Sequence, residues 1–107
     1  MWLEPEDMSE WGYRYCLVKE NKPEVRKLIT ESKWAYYYCN YIKDVQEVWK
    51  NITDAPWSYK YCTYIKDRPE IRKYITESYW AYQYCKNVKD DSEIRKYITN
   101  FHWGLKL

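Results

Sequence analysis

The apolar positions of this chain recur on a 23-residue period, and inside each period they follow two helical stripes in succession. In the second copy Trp34, Ala35, Tyr38, Cys39 and Ile42 fall at i, i+1, i+4, i+5 and i+8. That spacing lies on one face of a 3.6-residue helix and predicts a helix A from Trp34 to Ile42. Tyr36 borders the stripe. Tyr37 and Asn40 lie on the far side, where the equivalents (Arg14, Lys60 and Gln83; Leu17, Thr63 and Lys86) vary freely in polarity and are expected in solvent. The second stripe is shorter. Val25/Ile29, Val48/Ile52, Ile71/Ile75 and Ile94/Ile98 are i, i+4 pairs, so a helix B is predicted in each copy, Glu70 to Ile75 in the third.

Polar residues punctuate these stripes. Ser9, Ser32 and Ser78 each stand two residues before a Trp, a position suited to capping the start of helix A. Asn21, Asp44, Asp67 and Asp90 are each followed three residues later by Glu, a capping-box-like pattern that places the start of helix B. Pro23 and Pro69 suit its first turn, where no amide donor is needed. Thr30, Thr53, Thr76 and Thr99 close helix B. The third copy is introduced differently, by Asp54-Ala55-Pro56. With two glycines in the chain, the turns are not glycine turns.

The motif Trp-x-Tyr-x-Tyr-Cys occurs four times, with cysteines at 16, 39, 62 and 85 and no slippage between copies. A fixed period of this size marks a stacked repeat architecture. Helices this short are marginal alone in water and form when neighbouring copies cover their apolar faces. The expected fold is therefore all-α: four helix-turn-helix repeats stacked as a short solenoid, in one domain spanning 1–107. Residues 1–10 form a turn or short cap, the repeats cover 11–33, 34–56, 57–79 and 80–102, and 103–107 begin a fifth copy.

Composition refines this in one respect. Aromatic residues make up 21% of the 107, within a hydrophobic total of 46%, so the core must be built from Trp and Tyr, whose polar atoms need partners. That richness sets disorder aside, although the mean hydropathy is −0.92. Eighteen basic and sixteen acidic residues give a net charge of +2, which points to neither nucleic acid nor membrane. No apolar run approaches the roughly 18 residues of a membrane span. The acidic start Met1-Trp2-Leu3-Glu4-Pro5-Glu6-Asp7 lacks the features of a signal peptide, and a cytoplasmic location is expected.

The run Ser-x-Trp-Ala-Tyr-x-Tyr-Cys-x-x-Val-Lys at Ser78 to Lys89, followed by an acidic turn and an Ile helix, resembles short tandem helical repeats of the Ala-Tyr-x-Tyr-Ala-x-x-Val-Ile-Lys type. These recur in uncharacterised phage, giant-virus and bacterial proteins. The resemblance covers residues 9–107. Cys stands where the family has its second Ala, and the family's linker Gly is missing. It implies a helical-repeat fold and a phage or phage-like origin, and carries no activity. In style such a protein is similar to small inhibitors of bacterial defence.

Candidate chemistry is sparse. One cysteine per stacked unit, with helices roughly 8–10 Å apart, forms a line that cannot converge on zinc or a disulfide. The expected role is a small apolar residue between helices, so no metal or cofactor is expected. His102, the single histidine, has no nucleophile near it in sequence. The Trp column (Trp11, Trp34, Trp57, Trp80, Trp103) lies on the buried stripe, with base stacking as the alternative. Tyr13, Tyr36, Tyr59 and Tyr82 border the stripe, at the core edge or lining a groove. Lys27, Lys50, Lys73 and Lys96 form a basic column, each three residues after a Glu, an ion-pair spacing on a helix. They are a solvated face, or else phosphate-binding residues.

Breaks in the repeat add aromatic residues to copies two and three. Trp49 replaces an Arg, Tyr37 replaces Arg, Lys or Gln, and Tyr41 and Tyr64 stand where the outer copies have Val18 and Asn87. Exposed Trp, Tyr and Arg are favoured at binding hot spots. The expected function is a non-enzymatic protein-binding module contacting a larger protein, a bacterial immune effector, through Tyr37, Tyr41, Trp49, Lys60, Tyr64 and Arg72. The alternative is a nucleic-acid or signalling-nucleotide binder using the Lys column and tyrosine stacking. An enzyme would need a paired base and nucleophile or a metal cluster, and the sequence has neither.

Overall fold

The computed structural model describes residues 5–99, and among them all regular structure is helical. Long and short helices alternate: α1 (Pro5–Val18), α2 (Pro23–Arg26), α3 (Ser32–Tyr41), α4 (Gln46–Trp49), α5 (Ala55–Tyr64), α6 (Pro69–Arg72), α7 (Ser78–Asn87) and α8 (Ser92–Arg95). The helices fall into two compact units, Met1–Ile52 and Thr53–Leu107. The boundary coincides with the one irregular junction in the repeat, just before Asp54-Ala55-Pro56. In the first unit α1 packs on α3, with α2 against α1 and α4 against α3. The second unit repeats the arrangement: α5 packs on α7, α6 lies against α5, and α8 against α7.

The core uses the positions that the period picks out. Tyr38, Tyr61 and Tyr84 are fully buried, as are Ile29, Val48, Ile52, Ile71 and Ile75, with Val25 and Ile94 close behind. The four cysteines are buried free thiols. Each deep tyrosine has a hydrogen-bond partner for its hydroxyl, as a buried phenol requires. Tyr38 donates to Asn21 Oδ1 at 2.7 Å, and Tyr84 to Asp67 Oδ2 at 2.7 Å. Tyr61 accepts from Arg68 Nε at 2.6 Å.

Four expectations are corrected. The first is the leader: α1 begins at Pro5, so the described part of residues 1–10 is helix rather than a turn. The second is the serine caps. Ser9 lies inside α1, and Ser32 and Ser78 are the first residues of their helices, capped by Glu31 and Glu77 with no side-chain bond. The serines instead latch the start of helix A to the end of helix B in the same copy. Ser9 Oγ donates to Leu28 O at 3.3 Å and accepts from Thr30 N and Glu31 N at 3.0 and 3.1 Å. Ser32 Oγ donates to Asn51 O, and Ser78 Oγ accepts from Thr99 N. Copy three has Ala55 here, and Asp54 caps α5 through Trp57 N.

The third concerns the Asx residues before helix B, which are not its caps. The N-cap of α8 is Asp91, one residue later, while Lys22, Val45 and Arg68 take that position without side-chain bonds. Asn21, Asp67 and Asp90 instead accept from the Arg five residues on, at 3.1, 3.2 and 3.0 Å. Asn21 and Asp67 also accept from the tyrosine of the following copy, so one polar side chain joins two copies. The fourth is the Trp column. Trp34 is buried, but Trp11 is 48% exposed and Trp57 and Trp80 are half-buried. The interior place goes to the small residue beside each: Gly12, Ala35, Ser58 and Ala81 are all buried. A Cβ on Gly12 would lie 3.1 Å from Val25 O, so the backbones approach too closely for anything larger, and the indole turns to the rim.

Candidate functional site

The tyrosines that border the helix-A stripe are largely interior. Tyr13, Tyr36 and Tyr82 are buried and Tyr59 is half-buried, so a groove lined by this column is not formed. Burial holds the Tyr13 phenol above its usual range. The thiols are held in the same state by the same cause: burial raises Cys16 and Cys85, and pushes Cys62 up to about 12. Such groups stay protonated and are poor nucleophiles at neutral pH. Among the described residues no three His, Cys, Asp or Glu side chains converge on a metal position. His102, Trp103 and the start of the fifth copy lie outside the described residues.

The six expected contact residues separate into three situations. Tyr41 and Tyr64, the last residues of α3 and α5, project into solvent at 63% and 68% exposure. They occupy the same repeat position, one in each unit. Tyr37, Lys60 and Arg72 are half-buried and already engaged. Tyr37 is packed among aromatic rings, with centroids 6.2 Å from Tyr13, 5.5 Å from Trp34 and 6.1 Å from Tyr41. Lys60 holds its ammonium 4.3 Å from the centre of the Trp57 ring. Arg72 is ion-paired with Asp67.

Trp49 is buried at 6% exposure, and its expected presentation to a partner is corrected. The arginines at this position in the first and third copies, Arg26 and Arg72, keep about a fifth of their side-chain surface. Arg95 of the fourth copy is 45% exposed, so the position leans inward in the first three copies, and an indole placed there leaves water more readily than a guanidinium.

Sequence reasoning passed over one exposed apolar residue in the first unit, and a second, Leu17, lies in solvent as its column was expected to. Val18, at the position of Tyr41 and Tyr64, is 73% exposed, and Leu17 beside it is 49% exposed. The signal was the position itself: Val18 was read only as the plain residue against which Tyr41 stood out. Tyr79 adds a further exposed aromatic at the start of α7, edge-on to Trp80 with ring centres 4.9 Å apart.

The lysine column is exposed throughout. The expected Glu to Lys pairing within helix B forms in the fourth copy, where Lys96 meets Glu93 at 2.8 Å. Among the described residues Lys27, Lys50 and Lys73 make no such ion pair, and Glu47 turns instead to Arg26 of the preceding copy. No helix among the described residues is long and apolar enough to cross a membrane. Set against protein-family models, curated proteins and solved structures, the chain matches none of them.

Proposed function

We propose that this chain is a non-enzymatic protein-binding module that engages a larger protein through the exposed end of helix A. The observation that carries the reading is the pair Tyr41 and Tyr64, large aromatic side chains held about two-thirds in solvent at one repeat position in each unit. A tyrosine left in water on a stable helix contributes little to its own fold and much to an interface, because its area is large and two torsions suffice to fix it. Val18 and Leu17 extend the apolar character in the first unit. The 23-residue recurrence of the helix pairs supports the four-repeat solenoid as the frame for this surface. A phage origin and a bacterial immune effector as the target rest on the sequence resemblance alone.

The test is retention of a partner from bacterial lysate by the wild-type chain and by Tyr41→Ala and Tyr64→Ala, each with and without nuclease. A partner held by the wild type, unaffected by nuclease and lost in at least one variant supports the reading. Loss of about 1–2 kcal/mol, roughly 5- to 30-fold in affinity, is expected for a hot-spot tyrosine. A partner retained equally by both variants refutes it.

A second reading, nucleic-acid or signalling-nucleotide binding, is favoured by one observation: Lys27, Lys50 and Lys73 are exposed and make no ion pair among the described residues. Oligonucleotide retention that falls steeply with salt is its signature.

A further inference from the structure

The second unit contains a cleft of about 250 Å³ between α6 and α8, and we propose that it binds a small aromatic anion, a planar ring bearing a phosphate or carboxylate. Among the described residues its apolar lining comes from Pro69, Ile94 and Tyr97, and its basic lining from Arg72, Lys73 and Lys96. Two carboxylates also line it, and both are already engaged, Glu93 with Lys96 of the same lining. Asp91 Oδ1 caps α8 by accepting from Glu93 N and Ile94 N at 2.8 and 3.2 Å. Glu93 pairs with Lys96 at 2.8 Å. The positive groups retain capacity. Arg72 uses Nε on Asp67, which leaves the four N–H bonds of its terminal nitrogens. Lys73 makes no ion pair among the described residues and lies 5.2 Å from the Tyr74 ring centre.

The first unit supplies an internal comparison. Arg26, Lys27, Glu47 and Lys50 are the repeat equivalents of Arg72, Lys73, Glu93 and Lys96. There Glu47 crosses from α4 to bind Arg26, tying the second helix B to the first and occupying the guanidinium with a carboxylate. In the second unit Glu93 turns outward to Lys96, and the corresponding bridge to Arg72 is not made. The same four residue types thus bridge neighbouring copies in one unit and leave a cleft in the other, where Arg72 is paired within its own copy to Asp67 and Arg26 has the neutral Asn21 in that position. An anion on the ligand would meet the terminal nitrogens of Arg72 and the ammonium of Lys73, with the ring lying on Ile94, Pro69 and Tyr97.

This inference does not depend on the protein-binding reading. It narrows the nucleotide reading to one place, and it stands whether or not oligonucleotides are retained. The experiment is amide-resolved NMR titration of the full chain with adenosine monophosphate, benzoate, adenosine and inorganic phosphate. Both ring-bearing anions are expected to shift the amides of Lys73, Ile94 and Tyr97, and adenosine to bind more weakly. Lys73→Glu should weaken adenosine monophosphate about fivefold or more, from reversal of one charge beside the anion. Lys19→Glu, an exposed position of the first unit outside the lysine column, should leave it unchanged. Equal binding of adenosine and its monophosphate, equal binding of inorganic phosphate alone, or an equal effect of the two charge reversals would overturn the proposal. So would undisturbed amides at this cleft with every probe.

Discussion

Position two of the repeated motif offers a test in which the same kind of substitution has opposite effects in two copies. Ser58 is fully buried in α5, and its Oγ has no hydrogen-bond partner among the described residues. Its equivalents Ala35 and Ala81 are fully buried too, so the site accommodates a methyl group without loss. Ser58→Ala removes an unsatisfied hydroxyl, worth about 1 kcal/mol, and gains a few tenths from helix propensity. Filling is slightly reduced by the missing oxygen, so the net expectation is stabilisation of about 1 kcal/mol. Gly12→Ala adds the same methyl in the first copy, where helix propensity alone favours it by about 1 kcal/mol. Its Cβ would lie 3.1 Å from Val25 O and 3.2 Å from Ile29 Cγ1, a backbone oxygen and a fully buried side chain, neither free to retreat. Overpacking of that kind costs about 1–3 kcal/mol, so the net effect is destabilisation by about 1 kcal/mol. Thermal unfolding followed by circular dichroism reads both, at about 4 °C for each kcal/mol in a chain of this size. A Ser58→Ala variant less stable than wild type would show that the hydroxyl has a partner and would refute the reasoning. A stabilised Gly12→Ala variant would show that α1 and α2 can separate.

Three further outcomes are expected. Ser9→Ala removes the bonds of the first latch to Leu28, Thr30 and Glu31 and should cost about 2–3 kcal/mol by urea unfolding; a cost below about 1 would mean water substitutes for the hydroxyl. Tyr84→Phe should destabilise more than Tyr38→Phe, by about 2 against 1 kcal/mol, because Tyr84 bonds a carboxylate and Tyr38 an amide; equal costs would remove the role assigned to the Asp67 charge. The fold should also weaken in alkali. Cys62 is held at about 12 against an ordinary 9.0, so its contribution is complete below pH 9 and is lost as pH climbs from there toward 12. The raised Tyr38 and Tyr84 act in the same direction above pH 10. The urea midpoint should fall between pH 8 and 10.5, and more gently in Cys62→Ala; an unchanged slope in that variant would exonerate the thiol.

The interior was legible in the sequence because one period fixes it four times over: Tyr38, Ile52, Cys62 and Ile75 lie where helical spacing puts them. What misled was residue chemistry that serves two purposes at one place. A Ser ahead of a helix and an Asp ahead of another both suit capping, yet Ser9 and Asp67 spend their oxygens on more distant partners, which no local pattern reveals. The Trp column failed for a different reason. Spacing gives the direction of a side chain from the helix axis but not how near the next helix comes, and at Gly12 that nearness goes with an exposed Trp11 while Trp34, beside Ala35, stays buried. In the candidate site, Tyr41 and Tyr64 were readable as exposed departures from the repeat. Trp49 was not, because its column leans inward and the arginines that share it hide the fact behind a charged tip.

The serine latch has a consequence for how such a chain can arise. Its bonds join residues 19, 21 and 22 apart in the first copy, each shorter than the 23-residue repeat. A duplication of any 23 codons that begins just before the serine therefore delivers both halves of the latch at once, and the new copy needs only a neighbour for its tyrosine. Lengthening demands no compensating mutation elsewhere. Where Ala55 stands in the serine's place, a duplicate of that copy would carry only the local Asp54 cap and no such tie.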